Sequence, residues 1–394
     1  MAVITLPRLA IVSAALGAWL YTVVQSGFEL QGKGREVVPL NNERCRAVPG
    51  LEACEDAWID DRAGKAYLVC SDRPSRAAWV PAMLHLNATA LPAVSADYIA
   101  VLDLSTLSYY RLALKGLPAE AGGIWVHGLD VFRDPLDAKK LTIFLNSHRP
   151  PKDRSSAPLV GADSVVEILE HRSGSGEANW IKTVQHQAVR TPNNLVAMGA
   201  RTFFVSNDHA HKAHWTRRYE LLWPIPSDIV YCDASSALPA CKVAASKVIY
   251  PNGIAKGPGN LLYSGSTLGG FVQVWEIQSD FSLSPLQRVP IKRPIDNIHV
   301  ATDGSIFVTT LAKVLDFIAA GKDGGMSGKT AAVEAWRVTN ATDAAEPRNR
   351  KYKAELAFAD TGEIVSASTT AAPYKNQLLL TGIFSKEVVL CVLE

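Results

Sequence analysis

One phrase of sequence is written six times along the 394 residues. Its clearest copy is Ile295–Thr310, IDNIHVATDGSIFVTT. An acid and an amide, Asp296 and Asn297, open it. A short apolar strand pattern follows, then a turn at Asp303-Gly304 and a second apolar strand, Ile306–Val308. Asp-Gly between two apolar runs is a strong hairpin signal, because Gly accepts the positive φ that a tight turn needs. Glu55-Asp56, His127-Gly128, Asn193-Asn194 and Asn252-Gly253 open four more copies, and a degenerate last one runs from Ser366 through Ser368. Each leads into a further apolar strand: Tyr98–Asp103, Val165–Leu169, Ile229–Cys232, Phe271–Ile277, Val333–Val338 and Glu387–Leu393. A repeat of about 40–70 residues built from successive strands predicts an all-β fold, a six-bladed β-propeller, in which each blade buries its face against its neighbours. Two packed sheets, the competing all-β solution, give no reason for a polar residue to open every copy.

In a propeller the first strand of each blade lines the central axis. The opening residues therefore converge at one end of a channel: Glu55, His127, Asn193, Asn252, Asp296, Asn297 and Ser368. Two carboxylates and several amide oxygens are hard ligands, the set Ca²⁺ prefers. Any one of them could simply cap a strand end or turn. Five of six copies in register favour a metal site.

A formal charge of +2 leaves no electrostatic footprint for nucleic acid. The N-terminus stands apart from the repeats. Leu9–Val24 is apolar behind Arg8, a length at the lower edge for a spanning helix and the upper edge for a signal-peptide core. Residues 1–26 thus read as a hydrophobic helix serving as signal or retained anchor, 27–44 as a polar linker, and 45–394 as the propeller. This places the chain in the secretory pathway, extracellular or tethered facing the lumen, with membrane or lipid-surface association through the N-terminus.

Six cysteines suit that route, and none forms a metal-type Cys-x-x-Cys pair. Closing a propeller means joining its first and last blades, so Cys45 and Cys391 are expected to pair. Cys232 and Cys241 flank a short loop and suit a local bridge. Cys54 and Cys70 sit across the first hairpin, paired or free. Asn87 and Asn340 head Asn-x-Thr glycosylation acceptors. Three insertions interrupt the pattern: Arg149–Ala157, turn-rich; Asp316–Lys329, expected to be flexible from its glycines; and His209–Arg218, HAHKAHWTRR. The last reads either as a helical lid over the channel mouth or as a transition-metal site built on its three histidines.

The motifs CRAVPGLEACEDAWI, WVHGLDVF, NSHRP, NNLVAMGARTFFVSNDH, PNGI and IDNI carry a resemblance. The chain resembles the serum paraoxonase/arylesterase family, six-bladed propeller lactonases with two calcium ions in the central tunnel. The likeness runs from Cys45 to Cys391 and includes the hydrophobic N-terminus. It implies a catalytic calcium on Glu55, Asn193, Asn252, Asp296 and Asn297. It implies a structural calcium on Asp56, the main-chain carbonyl of Leu129, and the position of Asn194, where the family has an acid. It also implies a histidine pair at His127 and His148, a further tunnel histidine at His209, and the Cys45–Cys391 disulfide. Thr310-Leu311 stands where the family has a Cys-His pair.

The chemistry follows on its own terms. Glu55 and Asp296 balance one Ca²⁺, and amides fill its coordination without adding charge, leaving it electrophilic enough to polarise a carbonyl. Calcium activates water poorly, so a base is needed, and an imidazole pair supplies one. The expected function is calcium-dependent hydrolysis of lactones and aryl esters. The alternatives are a non-catalytic calcium-stabilised binding propeller and a gluconolactonase- or strictosidine-synthase-like propeller.

Overall fold

The computed structural model describes residues 24–221, 223–341 and 351–394. The apolar N-terminal stretch expected as a helix lies almost wholly outside them. Six sheets, each of at least four strands, follow in chain order. Blade 1 begins with Cys54–Asp60, blade 2 with Val126–Arg133, blade 3 with Pro192–Ala197, blade 4 with Pro251–Lys256, blade 5 with Ile295–Val300 and blade 6 with Thr370–Tyr374. These inner strands contact one another in a closed ring, blade 6 returning to blade 1.

The ring closes through an exchanged strand. Cys45–Val48, the first strand of the chain, pairs antiparallel with Val388–Val392, the last. Cys45 stands directly opposite Cys391 in that ladder and the two are disulfide-bonded. Cys54–Cys70 and Cys232–Cys241 are likewise disulfides between residues facing each other across adjacent strands. All six cysteines are paired.

Strand alternation sends apolar side chains to both faces of every blade, so the core is divided. Six buried clusters lie between successive blades, for instance Leu68, Leu102 and Leu379 between blades 1 and 6, and Phe144, Phe203 and Val205 between blades 2 and 3. The expected Asp303-Gly304 turn is present. Gly304 takes φ +81°, and Asp303 Oδ1 accepts from the Ser305 amide at 2.9 Å.

The inner strands share one irregularity, and it positions the site. In blades 2 to 5 two residues oppose one across the ladder: His127-Gly128, Asn193-Asn194, Asn252-Gly253 and Asp296-Asn297. In blade 1 the register slips by one residue at Glu55. A bulge turns a side chain out of the ladder and re-aims it. Every polar residue that opens a repeat in blades 1 to 5 thus sits on a bulge facing the axis. Blade 6 pairs regularly from Thr370 to Tyr374.

The segment after the N-terminus packs on the ring. A helix covers 24–30, Gln31 Nε2 donates to the Leu221 carbonyl, and Leu40 bridges to Ala359. The insertion expected to be flexible from Asp316 contains most of a helix, Val314–Gly321, whose Phe317 and Ala320 are buried. Its glycines fall after the apolar turns that dock it. The histidine-rich insertion forms a short 3-10 helix, Trp215–Tyr219. Asn87 and Asn340 are both exposed.

Removing the ring-closing disulfide by Cys45→Ser/Cys391→Ser is expected to lower stability by about 5 kcal/mol, since it restrains nearly the whole unfolded chain. An unchanged denaturation midpoint would show that the exchanged strand alone closes the ring.

Candidate active site and metal cup

The bulges of blades 1 to 5 point Glu55, His127, Asn193, Asn252 and Asp296 into one buried cavity of about 70 Å³. Tyr250, Thr267 and Thr369 complete its polar lining, and Val80, Met83, Leu311 and Phe317 supply apolar lining. Gly128 and Gly253 make this convergence sterically feasible. A Cβ on Gly253 would meet Ile298 N at 2.5 Å and Asn297 Cα at 2.6 Å. One on Gly128 would meet Asn193 O at 2.5 Å. The second bulge residue is therefore glycine in blades 2 and 4, where it receives the Asn-Asn and Asp-Asn backbones of blades 3 and 5.

The cup is defined by oxygens without partners. Glu55 Oε2, Asn193 Oδ1 and Asn252 Oδ1 in its lining are buried and make no hydrogen bond among the described residues, and neither does Oδ1 of Asp208, whose Oδ2 accepts from Asn193 Nδ2 at 3.3 Å. Buried polar atoms are rarely left unsatisfied, because each costs about 1–3 kcal/mol. Burial, then the neighbouring Asp56 and Asp296, pushes the Glu55 carboxyl well above its usual range. Burial foremost pushes Asp296 up to about 8, against the bond it receives from Asn252. Carboxyls and amide oxygens lining one cavity, with no lysine or arginine paired to them among the described residues, fit a divalent metal with a preference for oxygen. Asn297 also reaches the hub, but with its amide hydrogens inward. Its Nδ2 donates to Glu55 Oε1 at 2.9 Å, fixing that carboxylate.

The opposite side of the hub differs. Asp56 faces away from the cup. Leu129, expected to offer its carbonyl there, presents its N–H to Asp56 Oδ2 (3.0 Å). Asn194 donates Nδ2 to Asp56 Oδ2 (3.1 Å) and to Asn297 Oδ1 (2.6 Å). These groups do not fit a second cation. Ser368 also departs from expectation: its hydroxyl donates to the Thr381 carbonyl at 2.6 Å, with the Thr370 carbonyl 3.0 Å away. Blade 6 has no bulge to re-aim it, and Thr369 instead donates to the Glu55 carbonyl.

His127 lines the cup, and His148 stands behind it with ring centroids 5.0 Å apart. His127 Nδ1 has no partner among the described residues, whereas His148 Nδ1 lies 2.9 Å from Ser164 Oγ. Burial, then His148 and Arg76, holds the His127 imidazolium well below its usual range. Burial, then the same guanidinium, takes His148 down to about 3. Both rings are therefore neutral at neutral pH. Arg76, inside the short helix Arg73–Ala78, is buried and donates to the Val126 carbonyl. No motif marked it, because a lone Arg in a helix reads as surface. Asp208 was likewise passed over, although it stands within the quoted Asn-Asp-His run.

The three histidines of the 209–218 insertion do not gather. His209 is buried, its Nδ1 paired with Glu220 and its Nε2 3.1 Å from the Ala82 carbonyl. The His211 and His214 rings lie 5.0 Å apart, tilted by 45°. Among the described residues no three His, Cys, Asp or Glu side chains group around a metal position; the cup owes its character to amide oxygens. The insertion does form a wall. Arg217 donates to the Pro81 and Ala82 carbonyls. Beside it opens a mostly apolar chamber of about 240 Å³, lined by Met83, Leu84, Leu221, Leu268, Val314 and Ile318. The chamber shares Ala82, Met83, Tyr250, Thr267, Leu311 and Phe317 with the cup.

A family model described as arylesterase matches residues 157–393. Serum paraoxonase/arylesterase 1 of Homo sapiens is 24% identical over 388 residues, covering 96% of this chain and 97% of that protein. Serum paraoxonase/lactonase 3 of Rattus norvegicus is 19% identical over 360 residues, covering 89% and 90%.

Gly253→Ala is expected to force blades 4 and 5 apart at the cup and to cost roughly 2 kcal/mol, the scale of overpacking a filled site. A melting temperature equal to that of the parent chain would show that the two strands do not meet there.

Proposed function

Starting from the fact that the chain belongs to the paraoxonase/arylesterase family, we propose that it is a calcium-dependent hydrolase of lactones and aryl esters. As a member of that family it is an esterase or lactonase acting on small molecules. The observation that carries the finer reading is the buried cup of unpartnered oxygens beside a neutral histidine.

Glu55, Asn193, Asn252 and Asp296 would hold the ion, with Asp208 beside them and Asn297 steadying Glu55. When bound, calcium supplies a Lewis acid that polarises the ester carbonyl and stabilises the oxyanion formed on attack. The remaining work falls to the chain. His127, neutral and with Nδ1 free, takes the proton from the attacking water. His148, behind it and held by Ser164, fixes and supports that ring, acting as a positioning residue. The chamber receives the apolar part of the substrate while the cup receives its carbonyl, and Met83 and Phe317 at their junction exclude bulk water. A non-catalytic calcium-binding propeller would need neither the neutral imidazole nor a chamber opening onto it.

Three disulfides support an oxidising, secretory or extracellular setting. Among the described residues no helix is long and apolar enough to cross a membrane. We assign residues 1–26 as signal or anchor, 27–44 as linker and 45–394 as the catalytic propeller. Trp215, Tyr219 and Trp223 are exposed on the insertion that Gln31 contacts, which supports a lipid surface as the partner of this end.

Asp296→Ala is expected to abolish calcium binding and hydrolysis of a lactone and aryl-acetate panel together. Activity that survives chelation would reject the metal. His127→Gln is expected to retain fold and calcium while turnover falls by about 10²–10⁴-fold, the contribution of a positioned base. Unchanged turnover would remove His127 from that role.

A further inference from the structure

Glu55 and Asp56 are adjacent carboxylates at the hub, and their surroundings are opposite. Glu55 leaves an oxygen without a partner on the cup side. Asp56 is fully buried, and its lone pairs are taken. Oδ1 accepts from the Ala57 amide (2.8 Å) and Thr370 Oγ1 (3.1 Å). Oδ2 accepts from the Leu129 amide (3.0 Å) and Asn194 Nδ2 (3.1 Å). His299 Nε2 stands 3.4 Å from Oδ1 on the cavity side. A carboxylate offers about four acceptor positions, so four donors leave none for a cation.

The orientation of Asn194 is fixed by its own backbone neighbour. Its Oδ1 accepts from the Leu195 amide at 2.6 Å. Turning the amide over would aim Nδ2 at that N–H and Oδ1 at the oxygens of Asp56 and Asn297, placing like against like at each contact. An aspartate at 194 would meet no such conflict. One oxygen could accept from Leu195 while the other faced Asp56, and the two carboxylates would then call for a cation between them.

Building on the metal reading of the Glu55 cup, we propose that this chain binds a single ion there, and that the Asn194 carboxamide occupies the second position as an internal substitute, its two N–H groups bridging Asp56 and Asn297. The end of the channel beyond Asp56, a polar cavity of about 280 Å³ lined by Asp56, Asp130, Asn194, Lys256 and His299, is then closed by hydrogen bonds between blades instead of by a metal. Asn194 acts here as a positioning residue.

The test is the number of ions held by the whole chain, equilibrated with calcium chloride, dialysed and counted by plasma mass spectrometry. The expected counts are one per chain for the parent and two for Asn194→Asp, whose melting temperature should become more sensitive to chelator. Two ions in the parent would overturn this proposal and leave the cup reading standing. No ion in the parent would overturn the cup reading and this proposal with it. A folded Asn194→Asp variant that still holds one ion would show that residue 194 does not decide the matter. If that variant does not fold, Asp56→Asn serves. It is expected to keep one ion and to melt at lower temperature, and a parent count that drops on this change would contradict the proposal.

Discussion

The ring depends on one buried carboxylate. Asp56, on the inner strand of blade 1, takes hydrogen bonds from blade 2 through Leu129, blade 3 through Asn194 and blade 6 through Thr370, with His299 of blade 5 close by. A charge withdrawn from water is tolerated only when its lone pairs are met. Three blades other than its own meet them here, together with the Ala57 amide of its own strand. Ser206 extends the network to blade 4 by donating to the Asn252 carbonyl. A channel that would otherwise run open along the axis is thereby pinned at its middle, and what lies on either side of the pin can be specialised separately.

On one side the specialisation is toward chemistry. Bulges at equivalent places on five inner strands convert a repeated structural irregularity into a convergent set of side chains. Sites built on strands are held more tightly than sites on loops, and these strands are packed by glycine contacts that tolerate no added methyl group. The surplus of unpartnered oxygen in the cup and the neutral, half-free imidazole beside it are complementary. In the proposed reading, one would suit an electrophilic ion and the other would accept a proton, with the apolar chamber bringing an ester between them.

Much of this was legible in the sequence, for identifiable reasons. Hairpin turns, alternating apolar residues and the position of Cys45 and Cys391 are local or pairwise signals, and they predict the ring and its closure. The polar residue opening each repeat was legible too, but the backbone detail that aims it was not. Ser368 looked equivalent to Asn252 because a bulge leaves no mark in a single sequence. The direction of an amide is equally silent: Asn194 and Asn297 read as oxygen donors to a metal, and their hydrogens turn out to face the carboxylates. The helix Val314–Gly321 was hidden by the glycines that follow it. Asp208, Thr369 and Arg76 reach the hub from a strand end, a degenerate repeat and a short helix, where nothing in the spacing distinguishes them.

The proposed chemistry needs a cation held by the bulges of blades 1, 3, 4 and 5. Its most direct test is a crystal of the protein grown with calcium, or with manganese for a stronger signal, and an anomalous difference map. The expected result is a peak enclosed by Glu55 Oε2, Asn193 Oδ1, Asn252 Oδ1 and the Asp296 carboxylate. A fully occupied crystal with no peak among those atoms, or with its metal bound elsewhere on the chain, would contradict it.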